Sequence, residues 1–161
     1  MKSSTQPKPI VFTAQSKREF YCRDAICEFV FNKGGIPLNP FRVFEYFLND
    51  RVDRNLIREG NNNLIRISDE LWVFGVNIAD GVFFEMLYAK ELGKNLRFFT
   101  VANKADGISE VGPESLKPEP ELSRKGYNKD KMFRELIDHS PAGDGQLHLF
   151  NINLSWNEDA K

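Results

Sequence analysis

Cysteine is scarce, with Cys22 and Cys27 the only two in 161 residues. Five apart on what reads as one helix, they lie too far round it for an easy disulfide and are too few for a zinc site. They read as core thiols in a reducing compartment. Histidine is equally rare, and His139 and His148 make neither a metal site nor a catalytic triad, so no metal and no cofactor is expected. A block of one charge is also missing. Lys and Arg number 22 against 23 Asp and Glu, which leaves no nucleic-acid or acidic-lipid footprint and suits a small ligand better. Long apolar runs are absent too. The first eight residues are polar, with no stretch suited to a signal peptide, and nothing later approaches a membrane span. The expectation is a soluble, cytoplasmic protein with neither nucleic acid nor membrane as partner. No internal repeat is visible.

Phenylalanine, by contrast, is abundant at 14 residues, a surplus that fits either an aromatic core or an apolar oligomer interface. The length is that of one domain with a single large core. Within it we expect a flexible tail over 1–8, a core over 9–102, a long loop or arm over 103–127, and a helix and edge strand of the same domain over 128–161.

Pro9 to Ala14 is a β-branched run that reads as the first strand. Ser16 and Glu19 have the spacing of a capping box, opening a helix with Tyr21, Cys22, Ala25, Ile26, Phe29 and Val30 on one stripe and Gly34-Gly35 as its stop. Ile36 to Pro40 reads as a second strand, its prolines marking where the chain leaves the sheet. From Phe41 to Ser68 the helical spacing is interrupted at Asn49-Asp50 and at Gly60 to Asn63, which predicts two or three short helices rather than one long one. Ile67 to Gly75 reads as the third strand, Val82 to Lys94 as a helix and Leu96 to Val101 as the fourth strand. Lys104 to Gly126, with its glycines and prolines, reads as a long loop. Asn128 to Asp138 has the spacing of a short helix with Met132, Phe133, Leu136 and Ile137 inward, and Gln146 to Trp156 alternates as an edge strand would. Strands alternating with helices predict an α/β sandwich with a mostly parallel sheet of about five strands. Ligands in such sheets bind beyond the carboxyl ends of the strands, which points to Thr13 to Ser16, Asn39 to Phe44 and Gly75 to Gly81.

One carboxylate stands in an unusual place. Positions 82 to 84 and 86 to 89 are all apolar, and Glu85 alone interrupts them. A helix apolar all round is a buried helix, so Glu85 is expected to be buried at least in part, about one turn from the N-terminus. Burial raises a carboxyl pKa while the helix N-terminus lowers it, and such a group is a candidate for chemistry. The same apolar helix points to a homo-oligomer. Asp80 reads as a helix cap or as a second acid. Gly81 reads as a turn residue or as a point where the backbone approaches an anion. Phe41, Phe44 and Trp72 have faces for a base, although aromatics in such segments more often build core. Arg42, after the second strand, suits a phosphate or carboxylate, or stays solvated.

These segments resemble the core signature of the nucleoside 2-deoxyribosyltransferase-like superfamily. The likeness rests on Ile67 to Gly75, on Asp80-Gly81 followed by Glu85 and Ala89, and on Gly93-Lys94 before a strand, and it covers roughly residues 9 to 102. It implies a flavodoxin-like, Rossmann-like fold, often oligomeric, that cleaves or transfers the N-glycosidic bond of a nucleoside, nucleotide or related metabolite. By that resemblance Glu85 is the nucleophile, Asp80 assists the leaving base and Asp69 holds sugar hydroxyls; Gly81, Phe12, Ser16, Phe41 and Arg42 are the further candidates around the substrate. A carboxylate that attacks the anomeric carbon gives a glycosyl-enzyme, which water or a second base resolves. Three positions depart from the pattern. Phe12 stands where many members carry a tyrosine that contacts the nucleophile, Ala79 where an aspartate is usual, and Val82 where a hydroxyl residue often follows the glycine. Two alternatives remain: a nucleotide- or metabolite-binding regulatory module with weakened catalysis, and a nucleotide phosphoribohydrolase, which needs a phosphate site that the sequence does not display.

Overall fold

The computed structural model describes residues 6–44 and 51–138. In chain order it runs β1 (Ile10–Gln15), α1 (Arg23–Asn32), β2 (Ile36–Leu38), α2 (Pro40–Val43), α3 (Arg54–Ile67) and β3 (Glu70–Phe74). It continues through β4 (Asn77–Ile78), α4 (Asp80–Glu91), β5 (Asn95–Phe99), β6 (Glu110–Val111), β7 (Lys117–Pro118), α5 (Pro120–Arg124) and α6 (Lys129–Asp138). The expected edge strand at Gln146 to Trp156, the break at Asn49-Asp50 and both histidines lie outside the described residues.

The main sheet has the order β2-β1-β3-β5-β6, parallel except for the last pair, where Phe98 and Phe99 face Val111 and Glu110 antiparallel. The fold is therefore α/β with a mostly parallel five-stranded sheet. With β4 standing outside that sheet, the strand order is that of flavodoxin-like proteins. Strand alternation sorts the side chains onto two faces. Phe12, Ala14, Leu71 and Val73 pack with Ile65 of α3, Met132 of α6 and most of α4. Val11, Trp72, Phe74 and Phe99 pack with Ile26, Phe29 and Val30 of α1. There the Phe29 ring meets Trp72, Phe74 and Phe99 at centroid distances of 6.5, 6.0 and 5.1 Å, which puts much of the aromatic content into core.

Four local expectations change. Ser16 does cap, its Oγ accepting from the Arg18 N–H at 3.4 Å, but the turn it opens is 3-10 from Lys17 to Cys22. The tighter winding swings Tyr21 off the inward stripe, and it is 61% exposed. Helix α3 runs unbroken through Gly60 to Asn63, because the missing side chain of Gly60 admits the Phe44 ring; a Cβ there would lie 2.8 Å from Phe44 Cζ. The stretch from Lys104 to Gly126 is no structureless loop. It contributes β6 to the main sheet, and β7, which pairs in parallel with β4, as well as α5. In α6, Met132 and Leu136 are buried but Ile137 points outward. Among the described residues no helix is long and apolar enough to cross a membrane.

Glu91, in the last turn of α4, is 3% exposed, and neither of its carboxylate oxygens has a hydrogen-bond partner. A negative charge is also misplaced at a helix C-terminus. Glu91→Met, which keeps the volume and removes the unmatched polar atoms, is expected to stabilise the fold by about 1–3 kcal/mol in denaturant melts. A loss of stability would show that the carboxylate is matched in solution.

Candidate functional site

The chain leaves β1 for β2 on one side and returns to β3 on the other. Such a reversal is where open α/β sheets place their ligand crevice, beyond the carboxyl ends of the strands. Thr13, Gln15, Ser16 and Asn39 are all buried at this end of the sheet. Asn39 Nδ2 donates to Thr13 Oγ1 at 2.9 Å and to Gln15 Oε1 at 2.7 Å, while its Oδ1 accepts from the N–H groups of Phe41 and Arg42 at the start of α2. Gln15 Nε2 in turn donates to the Glu19 carbonyl at 2.7 Å. This network went unread in the sequence, although Asn39 before Pro40 is a helix-start signature.

The other wall is α4. Strand β4 precedes it and pairs with β7, so α4 and α5 start side by side: Ile78 faces Pro118, and the Glu119 N–H donates to the Ile78 carbonyl at 2.8 Å. Lys125, at the end of α5, then reaches Asp80 with an Nζ–Oδ2 distance of 3.0 Å, both side chains being about four-fifths buried. Asp80 Oδ1 accepts from the Gly81 N–H at 2.8 Å. Tyr127, two residues on from Lys125, packs edge-on against Phe83 at 5.0 Å, and burial beside Glu135 pushes its hydroxyl up to about 12.

Glu85 behaves differently from Asp80. Part of the residue reaches solvent, yet protein surrounds the carboxyl closely enough to push its pKa from 4.5 up to about 8. The cause is desolvation and not a neighbouring charge. The dense surroundings of the carboxyl govern its protonation. Asp80 and Glu85, five residues apart, are about 140° apart round the helix, and the Asp80 carboxylate turns to Lys125.

A family model described as "Domain of unknown function (DUF7768)" matches residues 12–99, more than half of the chain. The protein belongs to the DUF7768 family. No curated protein matches it. The DUF7768 region takes in β1 through β5 and hence both Asp80 and Glu85, whereas Lys125 and Tyr127 come from the segment that follows it.

The remaining expected site residues do not all gather here. Asp69 precedes β3, at the amino end of the sheet; its Oδ2 accepts from the Ile10 N–H at 2.7 Å and closes the start of β1. It is therefore remote from the crevice. Phe12 is wholly buried in the core beside α4, without surface for a ligand. Trp72 lies on the α1 face and donates to Glu70 at 2.8 Å. Arg42 turns to Asp24 of α1 at 3.1 Å, an exposed pair. Ser16, Phe41 and Gly81 stay at the carboxyl end, Ser16 as a cap, Phe41 half-buried on α2 and Gly81 in the first turn of α4. Among the described residues no group of three or more His, Cys, Asp or Glu is arranged to hold a metal.

The raised pKa has a sign. Unfolded, Glu85 ionises near its ordinary 4.5; folded, it does so only near 8. Between those values the folded state holds a proton that the unfolded state has released, so stability falls as pH rises. Thermal melts from pH 5 to 9 are expected to show the wild type losing stability on the order of a few kcal/mol relative to Glu85→Gln. Parallel curves for the two proteins would refute the buried, protonated carboxyl.

Proposed function

We propose that this protein cleaves or transfers the N-glycosidic bond of a nucleoside, nucleotide or related metabolite, with Glu85 at the reacting carbon. The observation that carries the reading is a desolvated carboxyl with a pKa near 8, on a helix that starts at the carboxyl ends of a parallel sheet. The resemblance of that helix to the deoxyribosyltransferase-like signature supports it. In the reaction the Glu85 oxygen bonds to the anomeric carbon as the carbon–nitrogen bond breaks. The base departs with a proton from solvent, and water or a second base then displaces the carboxylate. Asp80, paired with Lys125, serves as a fixed charge at the helix start and not as the acid. The free thiols Cys22 and Cys27 fit a cytoplasmic setting, and a homo-oligomer fits the family resemblance.

A second reading is a nucleotide-binding regulatory module. It is favoured by Phe12, which has no hydroxyl to orient Glu85, and by the engagement of Asp80 with Lys125.

The test is release of free base from nucleosides, deoxynucleosides and their 5′-monophosphates, followed by chromatography. Wild type is expected to release base, with Glu85→Gln slower by roughly a thousandfold or more. As nucleophile, Glu85 must be ionised, so kcat/KM should rise with pH and level off above about 8. A fall through the same range would make Glu85 a general acid instead. No release from any compound, with tight binding retained, would favour the regulatory module.

A further inference from the structure

Strand β1 ends in polar side chains that an apolar core does not call for. Thr13, Gln15 and Ser16, with Asn39 just after β2, are each no more than 5% exposed. They lie at the carboxyl ends of the strands, at the β1–β3 reversal. Ala14 packs with α4, so Thr13 and Gln15, its neighbours in β1, fall on the α1 side of the same strand end.

Hydrogen bonding fixes which way the two amides point. Asn39 Oδ1 accepts from the Phe41 and Arg42 N–H groups at 3.0 and 3.2 Å, which turns Nδ2 toward β1, where it donates to Thr13 Oγ1 and to Gln15 Oε1. Asn39 is then full, with two bonds accepted and two given. Gln15 is set in turn. Its Oε1 faces Asn39 and its Nε2 faces the Glu19 carbonyl, so a reversed amide would put donor against donor and acceptor against acceptor.

The capacity left over is of one kind. Thr13 Oγ1 accepts from Asn39 and Ser16 Oγ accepts from the Arg18 N–H, yet among the described residues neither hydroxyl gives its own proton to an acceptor. The second N–H of Gln15 Nε2 has no acceptor there either. Each oxygen of the network already accepts a bond; the protons are what lack a partner. At the other end of the sheet a buried hydroxyl is fully matched, Ser68 donating to the Leu64 carbonyl at 2.7 Å. Unmatched buried donors in a native fold mark a place where something else supplies the acceptor. These donors are neutral, and Arg42 is turned away to Asp24, so an anion desolvated among them would lack a countercharge. A neutral acceptor fits. The edge of a 6-oxopurine offers two side by side, O6 and N7, where a 6-aminopurine offers one acceptor and one donor.

We propose that Gln15, positioned by Asn39, and the Ser16 hydroxyl read the base of the ligand and select one that turns a carbonyl edge to them, a 6-oxopurine over a 6-aminopurine. A nucleoside laid over the end of β1 then has its sugar toward Glu85 on the α4 side and its base toward Gln15 on the α1 side. The inference rests on the glycosidic reading for the ligand being a nucleoside, and the test separates the two.

Calorimetric titration of the full chain with inosine and adenosine, repeated on Glu85→Gln to remove turnover, reads the preference. Inosine is expected to bind at least about tenfold tighter than adenosine. Gln15→Met, close in size, should bring the two nucleosides to within about twofold of each other. Asn39→Asp keeps the helix cap but offers an acceptor where Nδ2 donates; it draws the Thr13 hydroxyl and the Gln15 N–H inward and should abolish or reverse the preference. A merely structural role would lower both affinities and leave their ratio. Melting curves check that the variants are folded, and Ser16→Ala, which should narrow the ratio, keeps the test open if a larger change does not fold. Equal affinity in wild type, a preference for adenosine, or a preference for inosine that survives these substitutions overturns the base-reading role. Inosine preference without base release sinks the glycosidic reading and keeps the selection. Base release that is equally fast from both nucleosides does the reverse, and absence of binding by either sinks both.

Discussion

Helix α4 is buried over most of its surface. The sheet strands β1, β3 and β5 lie under it, and α3 and α6 pack beside it, so every polar group it carries must find a partner or change its state. Of four such groups, three meet that demand and one does not. Asp80 is matched by Lys125 and by the Gly81 N–H, and the Tyr88 hydroxyl by Arg66. Glu91 is buried with both oxygens unmatched. Glu85 gives up its charge, its pKa carried to about 8 by desolvation. Glu85 is thereby poised to change protonation near neutral pH, and that makes it the group on which chemistry can turn.

The chain divides its labour around this helix. The DUF7768 region supplies the parallel strands of the main sheet, the β1–β3 reversal and α4 itself. The segment after it returns to the same end: β7 adds to β4, α5 starts beside α4, and Lys125 and Tyr127 close over Asp80 and Phe83. Leu116, Leu122, Met132 and Leu136 join the core with α4. The charge state at the mouth of the site therefore depends on residues outside the family region.

The architecture was legible because burial on both faces of a strand leaves a dense apolar run, and β1 and β3 are such runs. The all-round apolar sequence about Glu85 likewise announces a largely buried carboxyl. What the sequence concealed depends on long-range contacts. Gly60 looks like a helix breaker until the Phe44 ring is seen against it. Lys104 to Gly126 looks structureless because its strands are two residues long and take their order from β4 and β5. Asp69 matched a motif by spacing, yet the strand that follows it runs toward the crevice and leaves Asp69 at the opposite end. Lys125 carries no motif; its meeting with Asp80 is a product of the β4–β7 pair.

The protonation state of Glu85 decides most. Carbon-13 NMR titration of the glutamate side-chain carboxyls, in wild type and Glu85→Gln, measures it directly. One carboxyl titrating near 8 in the wild type and missing from the variant is the expected result. Titration of every glutamate in the ordinary range near 4.5 would contradict a buried, proton-holding carboxyl at the heart of the site.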